Sequence, residues 1–121
     1  MPDAVIVSAC RTAIGTARKG TLAETDPNVL GRAVVDESMQ RTGIAPKDID
    51  GLNLAESMYG GGVLARYIAL EAGLTIVACT ALNRHCAAGL VAVSKRSSAS
   101  YPRVQILPRA FLVVSRCPTA S

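Results

Sequence analysis

One cysteine stands in a sequence context typical of an enzymatic nucleophile. The stretch NRHCAAGL, residues 83–90, places Cys86 after a histidine and before small residues, where an apolar, helix-like run begins. The thiolate is the reactive form of cysteine, and the free N–H groups at a helix N-terminus favour it. The same groups can bind the oxyanion that forms when a thiolate attacks a carbonyl carbon. Residue types and spacing therefore make Cys86 a candidate nucleophile that can attack a carbonyl carbon.

The same residues also allow an interpretation without chemistry. A buried reduced cysteine is a common structural residue, and spacing alone leaves a structural thiol at Cys86 as open as a catalytic one. His85 is a candidate base for the thiol, but the side chains of adjacent residues at a turn usually point apart. We therefore expect His85 to face solvent or to cap the turn.

The other residues with chemical potential have simpler explanations. Cys10 and Cys79 lie in apolar, strand-like runs and are predicted to be core residues. Four cysteines without C-x-x-C spacing predict neither a disulfide framework nor a zinc site, so no metal is expected. Gly60–Gly62 lacks the Gly-Lys-Ser/Thr or G-x-G-x-x-G pattern of a phosphate-binding loop, and we expect an ordinary loop there.

Alternating strands and helices must position these residues. Apolar, β-branched runs predict three strands, at residues 4–9, 51–55 and 75–82. Helical spacing and end signals predict three helices: one from Asp26-Pro27 to Gly43, one over 63–73 and one that Cys86 opens. The order β-α-β-α-β-α with short connections predicts parallel strands and an α/β layered fold.

The composition supports a folded domain with an aliphatic core. Of the 121 residues 50% are apolar, 18% are charged and 3% are aromatic, which excludes a disordered chain. A core of Val, Leu, Ile and Ala suits a buried parallel sheet. The sequence has no apolar run long enough for a bilayer, and the start MPDAVIVSACRT lacks a basic n-region. These features predict a cytoplasmic protein without a membrane partner.

Positive charge is concentrated in the last part of the chain. Residues 1–93 hold eight basic and nine acidic side chains, whereas residues 94–121 hold five basic and no acidic ones. A basic tail can bind nucleic acid or another anionic surface. This tail contains one Tyr, one Phe and no known nucleic-acid motif, so we do not expect nucleic acid as the partner.

Three motifs occur in an order that is typical of one enzyme family. They are VIVSACRTAIG near the start, GGGVLARYIALEAGL in the middle, and NRHCAAGL. Together they resemble the N-terminal part of the thiolases, the acetyl-CoA acetyltransferases and 3-ketoacyl-CoA thiolases, from about Asp3 to Val93. The resemblance implies a thiolase-like layered fold, with an incomplete N-terminal half and an irregular C-terminal tail. It predicts a partial thiolase N-terminal domain at residues 1–93 and a non-matching basic tail at 94–121.

The resemblance also implies a role for individual residues. Cys86 matches the nucleophile, which attacks an acyl-CoA thioester and carries the acyl group as an enzyme thioester. Asn83 matches the asparagine of an N-x-x-C pattern that shapes the turn, Gly89 matches a glycine that lets the following helix approach its neighbour, and Arg66 matches a structural arginine. Coenzyme A thioester is then a substrate, with no permanently bound cofactor and with unidentified cofactor-binding residues. Thiolases are homo-oligomers of fatty acid and lipid metabolism.

Two further catalytic motifs of the family have no match in this sequence. One is a Gly-His-Pro motif that activates the nucleophile, but His85 is the only histidine and is followed by cysteine. The other is a Cys-x-Gly motif, but Cys117 is followed by Pro118 and Thr119. We therefore expect this chain to be inactive alone. A non-catalytic module that pairs with a full-length thiolase and an anion-binding protein that uses the basic tail are the alternatives.

The regular pattern of the sequence ends near Ser94. Residues 94–121 hold three of the six prolines and show no helical periodicity. One hypothesis is that this tail is thiolase coding sequence in a shifted reading frame. With suitable codons, the shifted frame over Phe111–Arg116 encodes Leu-Gly-Gly-Leu-Glu, which resembles a strand end of the family. An ordinary divergent C-terminus is the alternative, and the nucleotide sequence of the gene distinguishes the two.

Overall fold

Strands and helices alternate along most of the chain. The computed structural model describes residues 5–16, 18–57, 61–94, 104–107 and 111–114. Its strands are β1 (Val5–Ser8), β2 (Ile49–Glu56), β3 (Ala78–Asn83), β4 (Val104–Leu107) and β5 (Phe111–Val114). Its helices are α1 (Pro27–Thr42), α2 (Leu64–Glu71) and α3 (Ala88–Ser94). Among the helices of these ranges, none combines the length and the apolar character needed to cross a bilayer.

Helix α1 begins and ends where its sequence predicts. The Asp26 side chain accepts a hydrogen bond from the backbone N–H of Asn28 at 2.8 Å, and Pro27 is the first helical residue. Gly43 follows the helix with a left-handed φ of 64°, and its N–H donates to the carbonyl of Met39. These contacts satisfy backbone groups that a helix end leaves free. The prediction of this helix is confirmed.

Strands β2 and β3 form the parallel pair that the sequence predicts. Their register runs without interruption from Gly51 opposite Ala78 to Glu56 opposite Asn83. Strand β2 is longer than the predicted segment 51–55, and β3 begins three residues later than predicted, at residue 78. Because the two strands are parallel and end in register, their carboxyl ends meet at one edge of the sheet.

The outer half of the sheet differs from the prediction. The strand order is β1-β5-β4-β2-β3, in which β4 runs parallel to β2 while β5 is antiparallel to both β4 and β1. Strand β1 was expected to be buried, but it lies at the edge, and Ile6 and Val7 are 58% and 50% exposed. The tail is also not wholly irregular, since it supplies β4 and β5. The division of the chain at residue 93 stays a prediction.

The hydrophobic core lies between β2 and the helices α1 and α2. Its buried members are Val35, Ile49, Leu52, Leu54, Ala65, Ile68, Ala69, Leu74 and Val77. The buried positions of α2 follow helical i, i+3, i+4 spacing, as expected for a helix that packs one face on a sheet. Helix α3 packs on β2 and β3 and buries the small side chains of Ala88 and Ala92. A helix with small buried residues can lie close to the strands beneath it.

Polar contacts join the exposed sides of α1 and α2. Arg32 on α1 donates a hydrogen bond to Asp36 at 2.6 Å and another to the backbone carbonyl of Glu71, the last residue of α2. Hydrogen bonding to the Glu71 carboxylate and the negative charge of that group raise the pKa of Tyr67 above its ordinary value. These groups are exposed, so we expect them to orient the two helices more than to stabilise them.

Gly31 allows α1 to lie directly on Ile68 of α2, because a Cβ at this position would overlap Cδ1 of Ile68. Ile68 is fully buried, so its side chain has little room to move aside. We expect Gly31→Ala to lower the free energy of unfolding by about 1 kcal/mol, since overpacking outweighs the gain in helix propensity. In an Ile68→Val background, which lacks Cδ1, the same change should be stabilising. Urea denaturation of the four proteins measures this, and additive effects would contradict the contact.

Candidate active site

Cys86 lies on a short turn between β3 and α3. Residues His85–Ala87 form one turn of 3₁₀ helix, closed by a hydrogen bond from the Ala87 N–H to the Arg84 carbonyl at 3.0 Å. Cys86 was expected to open the helix, but α3 begins two residues later, at Ala88. The thiol of Cys86 is free and the residue is exposed, which argues against the interpretation as a buried structural cysteine.

His85 has an unusual backbone conformation. Its φ is 49°, in the left-handed region that residues with a Cβ seldom adopt. Its side chain is exposed, as the sequence predicted. Its backbone N–H donates a hydrogen bond to Oδ1 of Asn83 at 3.0 Å. This bond helps to hold the turn in a conformation that costs free energy by itself.

Asn83 connects this turn to the neighbouring strand. It is the last residue of β3, and both the oxygen and the nitrogen of its side-chain amide form hydrogen bonds. Oδ1 accepts from the N–H of His85, while Nδ2 donates to the carbonyl of Ser57, directly after β2, at 2.8 Å. A short amide side chain that bonds the backbone two residues on is a typical means of fixing a turn. The position of the Cys86 turn therefore depends on the end of β2.

Glu56, the last residue of β2, is a buried carboxylate at this edge. It lies opposite Asn83 in the register and is 5% exposed. Its Oε2 accepts a hydrogen bond from the N–H of Gly62 at 2.7 Å, and its Oε1 accepts one from the N–H of Leu64 at 2.9 Å. Val63, the residue before α2, provides no side-chain cap. Glu56 therefore caps α2 from the preceding strand.

The glycine-rich segment serves this cap, and the prediction of an ordinary loop is confirmed for its described part. Gly61 and Gly62 have φ values of 57° and 90°, which bring the chain back toward β2. The Gly62 N–H is bonded to Glu56 and is not free for a phosphate. Gly60 lies outside the described residues. Glu56 was not among the residues predicted from the sequence, although an acidic residue that ends an apolar strand before an uncapped helix start is a usable signal.

The remaining candidates lie away from this turn or beside it. Gly89 is half-buried on α3, three residues after Cys86.

The other described cysteines are less exposed than Cys86. Cys10 is 8% exposed, and its thiol shares a hydrogen bond with the Ser38 hydroxyl at 3.0 Å. Cys79 is half-buried and packs against the core. Both are core cysteines as predicted, while Cys117 lies outside the described residues. Arg66 donates to the carbonyls of Thr75 and Val77 before β3, which agrees with a structural role.

Within residues 5–16, 18–57, 61–94 and the two tail strands, no three His, Cys, Asp or Glu side chains lie close enough to hold a metal ion. The chemistry that the site offers is that of an exposed thiol on a turn held by backbone and amide hydrogen bonds. Such a thiol can attack an electrophilic carbon that approaches from solvent.

A substitution of Asn83 tests the support of the turn. Asn83→Ala removes two hydrogen bonds, and we expect it to lower the free energy of unfolding by about 1 kcal/mol, because exposed bonds contribute near the low end of their range. Asn83→Asp keeps the acceptor for the His85 N–H but lacks the donor to Ser57. It should therefore lower the free energy of unfolding less than Asn83→Ala does. Amide hydrogen exchange at His85 measures the local effect. Unchanged exchange in Asn83→Ala would contradict this assignment of the turn.

Comparison with known proteins identifies the family. The family model described as "Thiolase, N-terminal domain" matches residues 4–99. A 3-ketoacyl-CoA thiolase of Bacillus subtilis (strain 168) is 39% identical over 99 residues, which is 78% of this chain and 25% of the relative. An acetyl-CoA acetyltransferase of Cupriavidus necator is 34% identical over 102 residues, which is 82% of this chain and 26% of the relative.

Solved structures show the same likeness. The crystal structure of the Bacillus anthracis acetyl-CoA acetyltransferase superimposes with a TM-score of 0.72 at 30% sequence identity, over 79% of this chain and 25% of that one. The acetyl-CoA acetyltransferase from Syntrophomonas wolfei gives a TM-score of 0.70 at 26% identity, over 78% of this chain and 24% of that one. The chain spans about a quarter of the length of the curated relatives it matches. It belongs to the thiolase family, and its residues 4–99 correspond to that family's N-terminal domain.

Proposed function

We propose that Cys86 is the acyl-accepting nucleophile of a thiolase-type acyltransferase whose substrate is an acyl-CoA thioester. The observation that carries the proposal is the exposure of the Cys86 thiol on a hydrogen-bonded turn, whereas Cys10 is buried and Cys79 is half-buried against the core. The relatives are named 3-ketoacyl-CoA thiolase and acetyl-CoA acetyltransferase, which supports acyl transfer as the chemistry.

The proposed step is a thioester exchange. The Cys86 thiolate attacks the carbonyl carbon of the acyl-CoA, and a new C–S bond to Cys86 forms. The C–S bond to coenzyme A then breaks, and coenzyme A leaves as a thiolate that takes a proton. The acyl group remains as a thioester on Cys86, so no oxidant, metal or permanently bound cofactor takes part.

The neighbouring residues have supporting roles in this proposal. Asn83 holds the turn through its bonds to His85 and Ser57, and the small, half-buried Gly89 lets α3 lie close to its neighbour. We also propose that the protein acts in the cytoplasm and, by family resemblance, that it is a homo-oligomer of fatty acid or lipid metabolism. The oligomeric and metabolic assignments rest on the resemblance to the thiolases.

We further propose that this chain by itself stops at the acyl-enzyme. Carbon–carbon bond formation between two acyl groups needs a base that removes a proton from an acetyl α-carbon. The exposed His85 is the only histidine of the sequence, and no Cys-x-Gly motif is present. A single acyl transfer without turnover is the expected behaviour.

Intact-protein mass spectrometry after incubation with acetyl-CoA tests the function. We expect a gain of one acetyl group, located on the peptide that contains Cys86 and removed by hydroxylamine, which cleaves thioesters. Iodoacetamide labelling of the same sample shows whether Cys86 is accessible. A folded chain whose Cys86 alkylates readily but takes no acetyl group, or takes it on a lysine, would overturn the proposal.

Exposed apolar side chains favour one alternative, a non-catalytic module that pairs with a longer thiolase chain. Ile14, Ile76 and Leu90 are 88%, 79% and 74% exposed, and Leu90 lies on α3 four residues after Cys86. Single exposed apolar residues are common, but three so exposed in a small domain suit a covering partner. A protein that takes no acetyl group, yet co-elutes with a full-length thiolase in gel filtration, would favour this alternative.

A further inference from the structure

We propose that Glu56 is a positioning residue for Cys86. By tying the end of β2 to the N–H groups of Gly62 and Leu64, the Glu56 carboxylate holds the strand end beside the Ser57 carbonyl. Asn83 is anchored to that carbonyl, and it fixes the turn that presents the thiol. The inference rests on the proposed role of Cys86 as the nucleophile. It adds a residue that acts on Cys86 through Ser57, Asn83 and His85.

The burial of Glu56 is the first support. A carboxylate in a protein interior is unfavourable unless hydrogen bonds compensate it, so its position is restricted to places where such donors are available. A Ser, Thr or Asp at position 63 would cap α2 from the surface at much lower cost. Glu56 instead is 5% exposed and uses both carboxylate oxygens on backbone N–H groups.

The placement of these two bonds is the second support. They reach from the end of β2 to Gly62 and Leu64, six and eight residues further on. Both N–H groups lie at the start of α2, so the two bonds tie the end of β2 to that helix. The left-handed φ of Gly62 turns its N–H toward the carboxylate. Ser57 follows Glu56 directly, so its carbonyl lies beside the strand end that these bonds hold.

The connection from the Ser57 carbonyl to the thiol of Cys86 is the third support. The Ser57 carbonyl accepts from Nδ2 of Asn83 at 2.8 Å, and Oδ1 of Asn83 accepts from the His85 N–H at 3.0 Å. Cys86 follows His85 directly. Glu56 and Asn83 are also opposite each other in the β2–β3 register, so no other strand lies between the carboxylate and the turn. A displacement of Ser57 therefore reaches Cys86 through two hydrogen bonds.

Glu56→Gln tests the proposal with little change in shape. Glutamine has one acceptor oxygen, so its NH₂ group must face the N–H of either Gly62 or Leu64. We expect acetylation of Cys86 by acetyl-CoA to slow about tenfold, because a misplaced nucleophile loses its alignment with the thioester. Alkylation of the exposed thiol by iodoacetamide should change less than about twofold, because a small reagent needs no fixed approach. Glu24→Gln, at an exposed position, is the charge-matched control.

Two further measurements separate positioning from a general structural role. The rate of amide hydrogen exchange at His85 should rise about tenfold in Glu56→Gln, whether or not the protein accepts an acetyl group. In an Asn83→Ala background, Glu56→Gln should have almost no additional effect on exchange or acetylation, since the connection is already broken. Additive effects, or unchanged exchange at His85, would overturn the inference.

The outcomes distinguish this inference from the proposed function. Wild-type protein that takes no acetyl group overturns the function, while the exchange at His85 still decides the link between Glu56 and the turn. Glu56→Asp is a second variant, which keeps the charge and is one methylene too short to reach both amides. If Glu56→Gln and Glu56→Asp both lose cooperative urea unfolding, Glu56 is a folding residue and the positioning role is overturned.

Discussion

Cys86→Ala is expected to abolish the acetyl adduct completely, because it removes the proposed attacking atom and nothing else. Cys79→Ala, the matched control, should leave the adduct unchanged, since Cys79 is half-buried and packs against the core. Cys86→Ser keeps the size of the side chain but replaces the thiol with a hydroxyl that is not activated, so we expect no adduct here either. Intact mass and peptide mapping after incubation with acetyl-CoA measure all three variants.

The interpretation of this experiment depends on the fold being retained. Cys86 is exposed on a turn, and exposed substitutions away from special features change stability by about 0.5 kcal/mol or less. The far-UV spectrum and urea midpoint of Cys86→Ala should therefore match those of the wild type. An acetyl adduct that persists in this variant would assign the acylation to another residue and refute the nucleophile.

Leu52→Ala is expected to have the largest effect on stability. Leu52 is fully buried near the middle of β2, the strand that pairs with both β3 and β4. Replacing a buried leucine with alanine costs about 2–5 kcal/mol, through lost burial and the cavity that remains. Small domains have total stabilities of roughly 5–15 kcal/mol, so this change should leave a marginal protein. Equilibrium denaturation in urea measures the loss.

An exposed residue provides the control for this change. Ile14 is 88% exposed, so Ile14→Ala should alter the free energy of unfolding by less than about 0.5 kcal/mol. A loss below about 1 kcal/mol for Leu52→Ala would mean that β2 is not the centre of the core. The result also bears on the site, because Glu56 and Ser57 stand at the end of the same strand.

The elements with local signals were predictable from the sequence. Asp26, Pro27 and Gly43 mark the ends of α1, because capping depends on residues within a turn of each other. The strand–helix–strand order around α2 likewise predicts the parallel pairing of β2 with β3.

The outer strands were not predictable in the same way. Residues 5–8 have the composition of a buried strand, but burial depends on which strands lie beside them. In the structure their partner is β5, from the far end of the described chain, and Ile6 and Val7 remain exposed. No local feature of VIVS specifies that partner. The strands in the tail were missed because proline-rich surroundings outweighed the short apolar runs VQIL and FLVV.

The candidate site was partly predictable. The residue types around Cys86 indicate a nucleophile, and Asn83 is a residue that favours turns. The left-handed φ of His85 and the start of α3 two residues later than predicted have no signature in the sequence, because the turn is stabilised by a bond to Ser57, directly after β2. Glu56 was missed for a similar reason, since its partner Leu64 lies eight residues away across a loop.

The strand order also has a consequence for the order in which the sheet assembles during folding. Strands β2 and β3 are joined by a single helix, whereas β1 pairs with β5 from the opposite end of the described chain. Closing a long loop costs more entropy than closing a short one, so pairings between nearby segments form first. We expect residues 49–83 to nucleate folding and the pairing of β1 with β5 to come last. The strand ends that support Cys86 would then be in place before the far edge of the sheet exists.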